Sequence, residues 1–554
     1  MTTISNIPAV QSIAKTVLHF GIDKAVLSPG SRNAPFLITF PAIETIESES
    51  IVDERVAAFV ALGKAQQTGS PVILCCTSGS AMLNYSPAIA EAYYQNIPLI
   101  IITADRPKEW IDRGEGQSIR QMEVISGIVS KQVEWDYHKS EVDNQAIISE
   151  AFKYSIEYPS PVHINVPLHE PLYGVDEVDL PISSSIINSE PDFKRIKQED
   201  LIIQYNSAKR IMIVCAQMNG LIDCREQVKR LSEDPRVVIL TETTANLYQL
   251  GYVCCIDRTL ATLSSENTDF IPDLVITIGE NIISKRLKQY LRNRKEQIDA
   301  HWHFGLKSMD VFDVASYVHG QNAREALASL APTAQIVEKP FSTLWKKVFF
   351  KSEQSHLQVL PELPYSDLKV YESIMDLIPD DWQIQMGNSS VIRYFQLFNQ
   401  LPTNKYFGNR GVSGIDGCTS TAVGASKVSR NPVLLVSGDH AFRYDANALG
   451  VADLPSHLKV IVINNEGGNI FRIIDGPRSK ESIDVHIEHH EVKSVKGLVQ
   501  YHGVEYRSAS DIQSLETELA ALFDLDNDKT VVLEVFTPRL ESPDILKRYF
   551  ASMR

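Results

Sequence analysis

The sequence predicts an α/β protein built from three doubly wound parallel-sheet domains. Short apolar, β-rich runs such as PVILCCTSG (71–79), RIMIVCAQ (210–217) and NPVLLVSGD (431–439) recur along the chain, and helix-like segments separate them. Such alternation is typical of parallel sheets covered by helices. A chain of 554 residues is also too long for a single hydrophobic core. The predicted domains are 1–180, 200–335 and 360–554.

The segments between and before these runs are assigned from their lack of strand periodicity. The N-terminal MTTISNIPAVQSIAKTVLHFG is predicted to be an amphipathic helix rather than a signal peptide, because no small-residue cleavage site follows an apolar core. Residues from about 176 to 200 are predicted to be a linker, and a second irregular stretch is expected from LAPTAQ at 330 to about 365.

Composition restricts the classes of partner. A formal net charge of −16 argues against a nucleic-acid surface, which would need a basic face. No apolar run reaches the roughly 18 residues of a membrane span. The seven cysteines include the adjacent pairs Cys75–Cys76 and Cys254–Cys255 in apolar runs and form no CxxC motif, so we expect reduced thiols and a cytoplasmic protein. HIEHH at 486–490 is predicted to be a solvated segment rather than a metal site.

Polar residues end two successive strands near the C-terminus. Asp439 follows the run VLLVSG, and Asn465 follows KVIVIN after one helical crossover. Right-handed crossovers place the carboxyl ends of parallel strands at one edge of the sheet. A carboxylate, an amide oxygen and the backbone carbonyl of Gly467 are hard oxygen ligands that suit Mg²⁺, and Gly467 and Gly468 allow a diphosphate close to the backbone.

Cationic residues follow several other apolar strands. Arg32, Arg106, Arg410 and the pair Lys285–Arg286 lie in or beside such loops. In an acidic protein, several cations at strand ends predict a pocket for a small anion with carboxylate or phosphate groups.

The pattern Gly438-Asp439-His440 followed by Asn464-Asn465 resembles the signature of thiamine-diphosphate enzymes, with His440 in the place of a glycine. The resemblance implies that Asp439, Asn465 and the Gly467 carbonyl hold Mg²⁺ (or Mn²⁺) against thiamine diphosphate. It also implies that Glu54, in SIVDERVAAF, hydrogen-bonds the aminopyrimidine of a cofactor held by another subunit, hence a homodimer or dimer of dimers. Glu466 has no role in that pattern.

The same resemblance implies a role for each of the three predicted domains. The first would be the pyrimidine-binding domain, the second a central Rossmann-like domain and the third the diphosphate-binding domain of the thiamine-diphosphate enzyme fold. No flavin motif is found in the middle domain, so FAD is not expected.

Further segments resemble one branch of these enzymes. SPGSRNAPF, TADRP with the following GEGQS, MGNSSVIR and GNRGVSGIDG together are similar to 2-succinyl-5-enolpyruvyl-6-hydroxy-3-cyclohexene-1-carboxylate synthases of menaquinone biosynthesis. The resemblance implies a transferase that decarboxylates 2-oxoglutarate and adds the resulting succinyl-semialdehyde carbanion equivalent, in 1,4 fashion, to isochorismate. Ser389 and Arg393 are expected on adjacent turns of one helix.

Residue roles follow from this resemblance. Catalytic roles fall to Glu54, Arg32, Ser389 and Arg393. Substrate-binding residues would be Ser31, Arg32, Arg106, Gln117, Lys285, Arg286, Arg393, Arg410, Ile470, Phe471 and Ile474. Cofactor-binding residues would be Glu54, Asn388, Ser389, Ile415, Asp416, Gly438, Asp439, His440, Asn465, Gly467, Gly468 and Ile470. Ile470, Phe471 and Ile474 would form an apolar wall that keeps water from the carbanion.

Three alternatives remain. Another thiamine-diphosphate 2-oxoacid decarboxylase or an acetolactate-synthase-like carboligase would use pyruvate, which has one carboxylate and needs fewer cations. A nucleotide-binding oxidoreductase would need GxGxxG directly after a strand, and none is found. A binding protein without activity is disfavoured by Glu54, Asp439 and Asn465.

Overall fold

A computed structural model describes residues 1–181, 193, 197–218, 223–264, 267–333, 337–474 and 476–553. The N-terminal part contains the strands β1 (Thr2–Ser5), β2 (Lys24–Leu27), β3 (Glu47–Ser50), β4 (Val72–Cys76), β5 (Leu99–Asp105), β6 (Lys131–Glu134), β7 (Pro161–Pro167) and β8 (Val175–Val178). Its helices are α1 (Pro8–His19), α2 (Ala34–Thr39), α3 (Glu54–Thr68), α4 (Ser80–Gln95), α5 (Gln121–Val124) and α6 (Glu141–Glu157). Strands β2 to β7 form a parallel sheet in the order β3-β2-β4-β5-β7-β6, and β1 pairs with β8 antiparallel.

The central part repeats this architecture with fewer strands. They are β9 (Ile211–Cys215), β10 (Val237–Thr241), β11 (Leu274–Ile278), β12 (Ala300–Phe304) and β13 (Tyr317–Gly320). The helices are α7 (Gln198–Ser207), α8 (Arg225–Leu231), α9 (Ile256–Ala261), α10 (Lys285–Arg292) and α11 (Ala323–Ala328). The sheet is parallel in the order β10-β9-β11-β12-β13.

The C-terminal part has the third sheet, in the order β15-β14-β16-β17-β19-β18. Its strands are β14 (Gln383–Met386), β15 (Lys405–Gly408), β16 (Val433–Gly438), β17 (Leu458–Asn464), β18 (Glu505–Ala509) and β19 (Val531–Phe536). The helices are α12 (Phe341–Val359), α13 (Asp367–Leu377), α14 (Val391–Phe395), α15 (Cys418–Val428), α16 (Asp439–Tyr444), α17 (Ile470–Ile473), α18 (Lys496–Tyr501), α19 (Ile512–Phe523) and α20 (Glu541–Ser552).

The predicted α/β class with three parallel sheets is confirmed. The central strands β4, β5 and β9 are buried along their whole length, which is the reason for their unbroken apolar runs. The domain limits 1–180, 200–335 and 360–554 stay a prediction. No helix in the described ranges is long and apolar enough to cross a membrane.

By its contacts the chain forms two compact units. One comprises Met1–Pro191, Asn409–Val433 and Tyr444–Leu458, and the other comprises Asp192–Gly408, Leu434–Arg443 and Lys459–Arg554. In the first unit, α3 packs closely on α15 through two glycines. A Cβ at Gly63 would lie 2.1 Å from the Thr421 carbonyl oxygen, and one at Gly424 would lie 2.0 Å from the Val60 carbonyl oxygen. Only glycine therefore permits this helix contact.

Both irregular stretches are corrected by the structure. The predicted linker begins with β8, which pairs with β1, and most of its remainder, 182–192 and 194–196, lies outside the described residues. The stretch from 330 to 365, of which 334–336 are not described, contains the long helix α12. Phe341, Trp345 and Phe349 recur every four residues and are buried, which is the helical period that the sequence analysis overlooked.

Candidate active site

The carboxyl ends of β16 and β17 carry the predicted metal ligands. These strands are neighbours in the third sheet, and the crossover argument predicted that their carboxyl ends share one edge of it. Asp439 begins α16 directly after β16 and is 1% exposed, while Asn465 follows β17 and is 5% exposed. Arg443 Nη2 lies 2.9 Å from Asp439 Oδ2. Burial nevertheless raises the pKa of Asp439 to about 7, so a cation beside it would favour the ionised carboxylate.

Asn465 is oriented by a second buried carboxylate. Its Nδ2 donates a hydrogen bond of 2.9 Å to Asp367 Oδ2, at the start of α13. Asp367 is 1% exposed and also accepts a hydrogen bond of 2.5 Å from the Thr537 hydroxyl. Because the amide nitrogen is bound to Asp367, the Asn465 oxygen is the atom that remains to face a cation.

The surrounding backbone leaves room for a diphosphate. A Cβ at Gly438 would meet no heavy atom within 4 Å, so open space lies beside Asp439. Gly467 has φ +146°, a conformation that favours glycine. Glu466 has φ +61°, and its Oε2 lies 3.0 Å from His490 Nε2. The donor set and this space fit Mg²⁺ and a diphosphate.

The segment HIEHH was predicted to be solvated, and for Glu488 this is wrong. Glu488 is fully buried, and its carboxylate accepts hydrogen bonds from Arg472 and Arg539. Its backbone carbonyl accepts a hydrogen bond of 2.7 Å from the Gly468 N–H. The segment is therefore packed against the glycine loop after β17. The two arginine partners make burial of its acid possible.

A cavity of about 430 Å³ brings together cations and apolar side chains from separate parts of the chain. Its lining includes Lys285 and Arg286 at the start of α10, Arg393 in α14, Ile470 at the start of α17 and Ile474 directly after that helix. Arg393 Nε is buried and makes no hydrogen bond to any described residue. The arrangement suits an anion with an apolar body.

One expectation near this cavity needs correction. Ser389 lies before α14 rather than on it, with φ +71°, because the helix begins only at Val391. Ser390 lines the cavity instead. Phe471 is not among the lining residues, and its ring lies 3.1 Å from the position of a Cβ on Gly468. None of the residues of α17 is buried, so Ile470 and Phe471 do not belong to the hydrophobic core.

Glu54 begins α3, as predicted, directly after its N-cap residue Asp53. Its pKa is raised above the ordinary value by partial burial, and the charge of Asp53 adds to this, although a backbone hydrogen bond opposes it. A carboxyl group that holds its proton more tightly can donate a hydrogen bond to a ring nitrogen.

The predicted anion-binding residues of the first sheet lie at its carboxyl edge. Arg32 is 2% exposed, and its guanidinium donates to the Leu168 carbonyl at 2.9 Å and to Glu170 at 3.2 Å, whereas Ser31 is exposed. Arg106 donates to the Gly116 carbonyl at 3.0 Å, directly before Gln117. Arg106 and Gln117 are therefore brought together, while Arg32 already has protein partners.

The loop after β15 carries Arg410, Ile415 and Asp416. Ile415 is 38% exposed, so its side chain is accessible to a ligand. Asn388, by contrast, is 1% exposed after β14.

The sequence analysis missed several residues of the cavity. Asp257, Gln289, Tyr394, Leu397, Ile473, Leu546 and Phe550 also line it. Phe550 lies in the C-terminal helix α20, and its ring centroid is 4.2 Å from the guanidinium carbon of Arg286. An amphipathic C-terminal helix was the available signal, but such a helix does not indicate what it covers.

Comparison with known proteins places the chain in a family. Residues 8–124 match the family model described as "Thiamine pyrophosphate enzyme, N-terminal TPP binding domain". A curated 2-succinyl-5-enolpyruvyl-6-hydroxy-3-cyclohexene-1-carboxylate synthase from Flavobacterium johnsoniae is 39% identical, with 99% of each chain covered. The chain belongs to this synthase family. Relatives of the same name from Flavobacterium psychrophilum (37% identical, 99% of each chain) and Porphyromonas gingivalis (36% identical, 96% of this chain and 94% of the relative) support the assignment.

Membership of the synthase family confirms the resemblance on which the sequence analysis relied. It covers all three sheets, including the central one, where the motifs were weakest.

Proposed function

We propose that the chain catalyses thiamine-diphosphate-dependent decarboxylation of 2-oxoglutarate and 1,4-addition of the resulting four-carbon unit to isochorismate, the transferase reaction EC 2.2.1.9. The cavity lined by Lys285, Arg286 and Arg393 is the observation that carries this proposal. Both substrates are dicarboxylates, and guanidinium and ammonium groups are the usual partners of carboxylates.

The chain's own residues would bind the two acids and exclude water. Arg393, whose Nε is buried without a partner in the described part of the chain, is suited to a substrate carboxylate. Arg106, Gln117 and Arg410 would complete the binding of the acids, and Ser389 would orient the reacting group. Ile470, Phe471 and Ile474 would supply the apolar wall, which limits protonation of a carbanion by water; Ile470 and Ile474 line the cavity.

Asp439, Asn465 and the Gly467 carbonyl would hold Mg²⁺ or Mn²⁺ against the diphosphate. When bound, thiamine diphosphate supplies a carbon nucleophile and stabilises the negative charge left by loss of CO₂. Glu54 would hold a proton at the aminopyrimidine nitrogen, with its raised pKa in support. His440, Gly438, Gly468, Asn388, Ile415 and Asp416 would contact the cofactor.

The proposal extends to assembly and location. Residues 1–180, 200–335 and 360–554 would be the pyrimidine-binding, central and diphosphate-binding domains of a homodimer or dimer of dimers. All seven cysteines are buried, and no disulfide joins them in the described part of the chain, which supports a reducing, cytoplasmic location.

The test mixes purified protein with thiamine diphosphate, Mg²⁺ and 2-oxoglutarate, with and without isochorismate, and follows both substrates and the product mass. Product that forms only with both acids is the expected result. Consumption of 2-oxoglutarate alone, or of pyruvate, would indicate a different carboligase. No binding of the cofactor would overturn the proposal.

A further inference from the structure

Two acidic residues that the proposed reaction does not use lie beside the cavity that Lys285, Arg286 and Arg393 line. Glu242 follows β10 at its carboxyl end and is fully buried. Both of its oxygens are used, because Oε2 accepts from the Ile283 N–H at 2.6 Å and Oε1 accepts from the Ser284 N–H at 2.7 Å. Ile283 and Ser284 directly precede α10, so Glu242 fixes the point at which that helix begins.

Asp257 contacts the same point from another element. The Ser284 hydroxyl donates to Asp257 Oδ1, and Ser284 Oγ accepts from the Leu287 N–H at 2.9 Å as the N-cap of α10. Asp257 lies in the first turn of α9 and lines the cavity itself. Two carboxylates from different elements therefore converge on Ser284, the residue before Lys285.

The charge at the start of α10 explains why two acids are needed there. The first two residues of α10 are Lys285 and Arg286, at the helix end where the peptide dipoles already present positive charge. Cations there are unfavourable unless negative groups face them. Glu242 and Asp257 provide these groups from outside the helix. Burial raises the pKa of both, to about 7 for Glu242, but the N–H groups that Glu242 binds and the cations that face Asp257 favour the ionised forms.

Arg393 on α14 faces the same two acids. Burial lowers the pKa of its guanidinium, and the charges of Asp257 and Glu242 oppose that shift. Gln396, at the C-terminal end of α14, donates to Glu242 Oε1 at 3.4 Å. Glu242 thus connects the two helices that carry the cations of the cavity.

We propose that Glu242 and Asp257 are positioning residues that hold Lys285, Arg286 and Arg393 in place around the cavity. They would thereby determine how tightly the cavity binds its carboxylate substrate. This inference rests on the proposed function of the three cations. Two acids would thus support an anion-binding site through the cations that they orient.

The variants Glu242→Gln and Ser284→Ala test the proposal. An amide can accept from only one of the two N–H groups that Glu242 binds, and Ser284→Ala removes both the cap and the hydrogen bond to Asp257. We expect each to raise the KM of at least one substrate about tenfold while kcat changes less than threefold and the affinity for thiamine diphosphate, measured by fluorescence titration, stays the same.

Asp234→Asn is the matched control. Asp234 is a fully buried acid of the same central part, paired with Arg236 and Tyr205, and is not among the residues that line the cavity. Its variant is expected to lower thermal stability without raising KM. Unchanged KM in Glu242→Gln and Ser284→Ala, or the same rise in Asp234→Asn, would overturn the inference. The variants Arg286→Ala and Arg393→Ala separate the two proposals. If neither raises the KM of a substrate, the proposed substrate-binding role of these cations is wrong, independently of the role of the acids.

Discussion

The carboxylate of Glu91, on α4, accepts hydrogen bonds from successive backbone N–H groups of the loop that starts at Gly411. The distances are 2.5 Å from Gly411 and 2.8 Å from Val412, and Ser413 follows at 3.3 Å. Glu91 is 1% exposed. A buried acid of the first sheet domain thus holds the loop that bears Arg410 and Ile415.

Replacement of Glu91 by Ala should loosen this loop. Loss of the acceptor leaves partly buried N–H groups unpaired, at a cost of about 1–3 kcal/mol each when they are fully desolvated. We expect a KM at least fivefold higher for the acid that Arg410 is proposed to bind, measured by steady-state kinetics. The control is Glu150→Gln, at an exposed residue, which removes only a surface ion pair with Lys131 and should leave KM unchanged. Equal KM values in wild type and Glu91→Ala would contradict the role of Glu91.

Glu54→Gln should separate cofactor binding from turnover. The amide keeps the shape of the side chain but cannot supply a proton to a ring nitrogen. We expect binding of thiamine diphosphate within about threefold of wild type and a loss of turnover of about a hundredfold or more, in the range of a lost acid–base group. Fluorescence titration and initial rates measure the two quantities. Normal rates in this variant would exclude Glu54 as the activating group.

Asp367→Ala should weaken the metal and cofactor site without touching a ligand. Asn465 would lose the acceptor that orients its amide, and loss of such an outer partner costs about 10–100-fold in metal affinity. Titration of Mg²⁺ at fixed thiamine diphosphate measures this. Thr537→Val removes a different partner of Asp367 and should have a smaller effect. An unchanged Mg²⁺ affinity in Asp367→Ala would show that Asn465 needs no such support.

The free energy of unfolding should fall as the pH is lowered, partly because of His163. This residue of β7 is fully buried, its ring nitrogen lies 2.6 Å from the Thr103 hydroxyl, and burial lowers its pKa from 6.5 to about 3. The unfolded chain takes up a proton below pH 6.5 and the folded chain does not. The contribution of His163 is therefore complete above about pH 6.5 and is lost as the pH falls toward 3, by about 1.4 kcal/mol per pH unit.

Urea unfolding at pH 6.5, 5.5 and 4.5 measures this slope in wild type and His163→Gln. The variant should show a slope smaller by about 1.4 kcal/mol per pH unit, whatever its absolute stability. His301, His303 and His356, whose pKa values are also lowered by burial, contribute equally to both proteins. Identical slopes would mean that His163 is protonated in the folded state.

The sequence by itself determined the parallel sheets and the edge at which Asp439 and Asn465 meet. Both follow from local information, because apolar runs define strands and the handedness of the crossover fixes where their ends lie. The cations were found for the same reason, since each follows a strand. The helix α12 was also encoded locally, by its period of four, but was not recognised.

Only the tertiary structure decided which distant groups complete the site. Glu91 contacts Gly411, Asp367 contacts Asn465, and Arg286 contacts Phe550, in each case across a long stretch of chain. A buried acid leaves no periodic signal, because its partner is a backbone N–H or an amide that any sequence could supply. Folding alone places such an acid where its charge orients a loop, a proposed metal ligand or the start of a helix that carries cations.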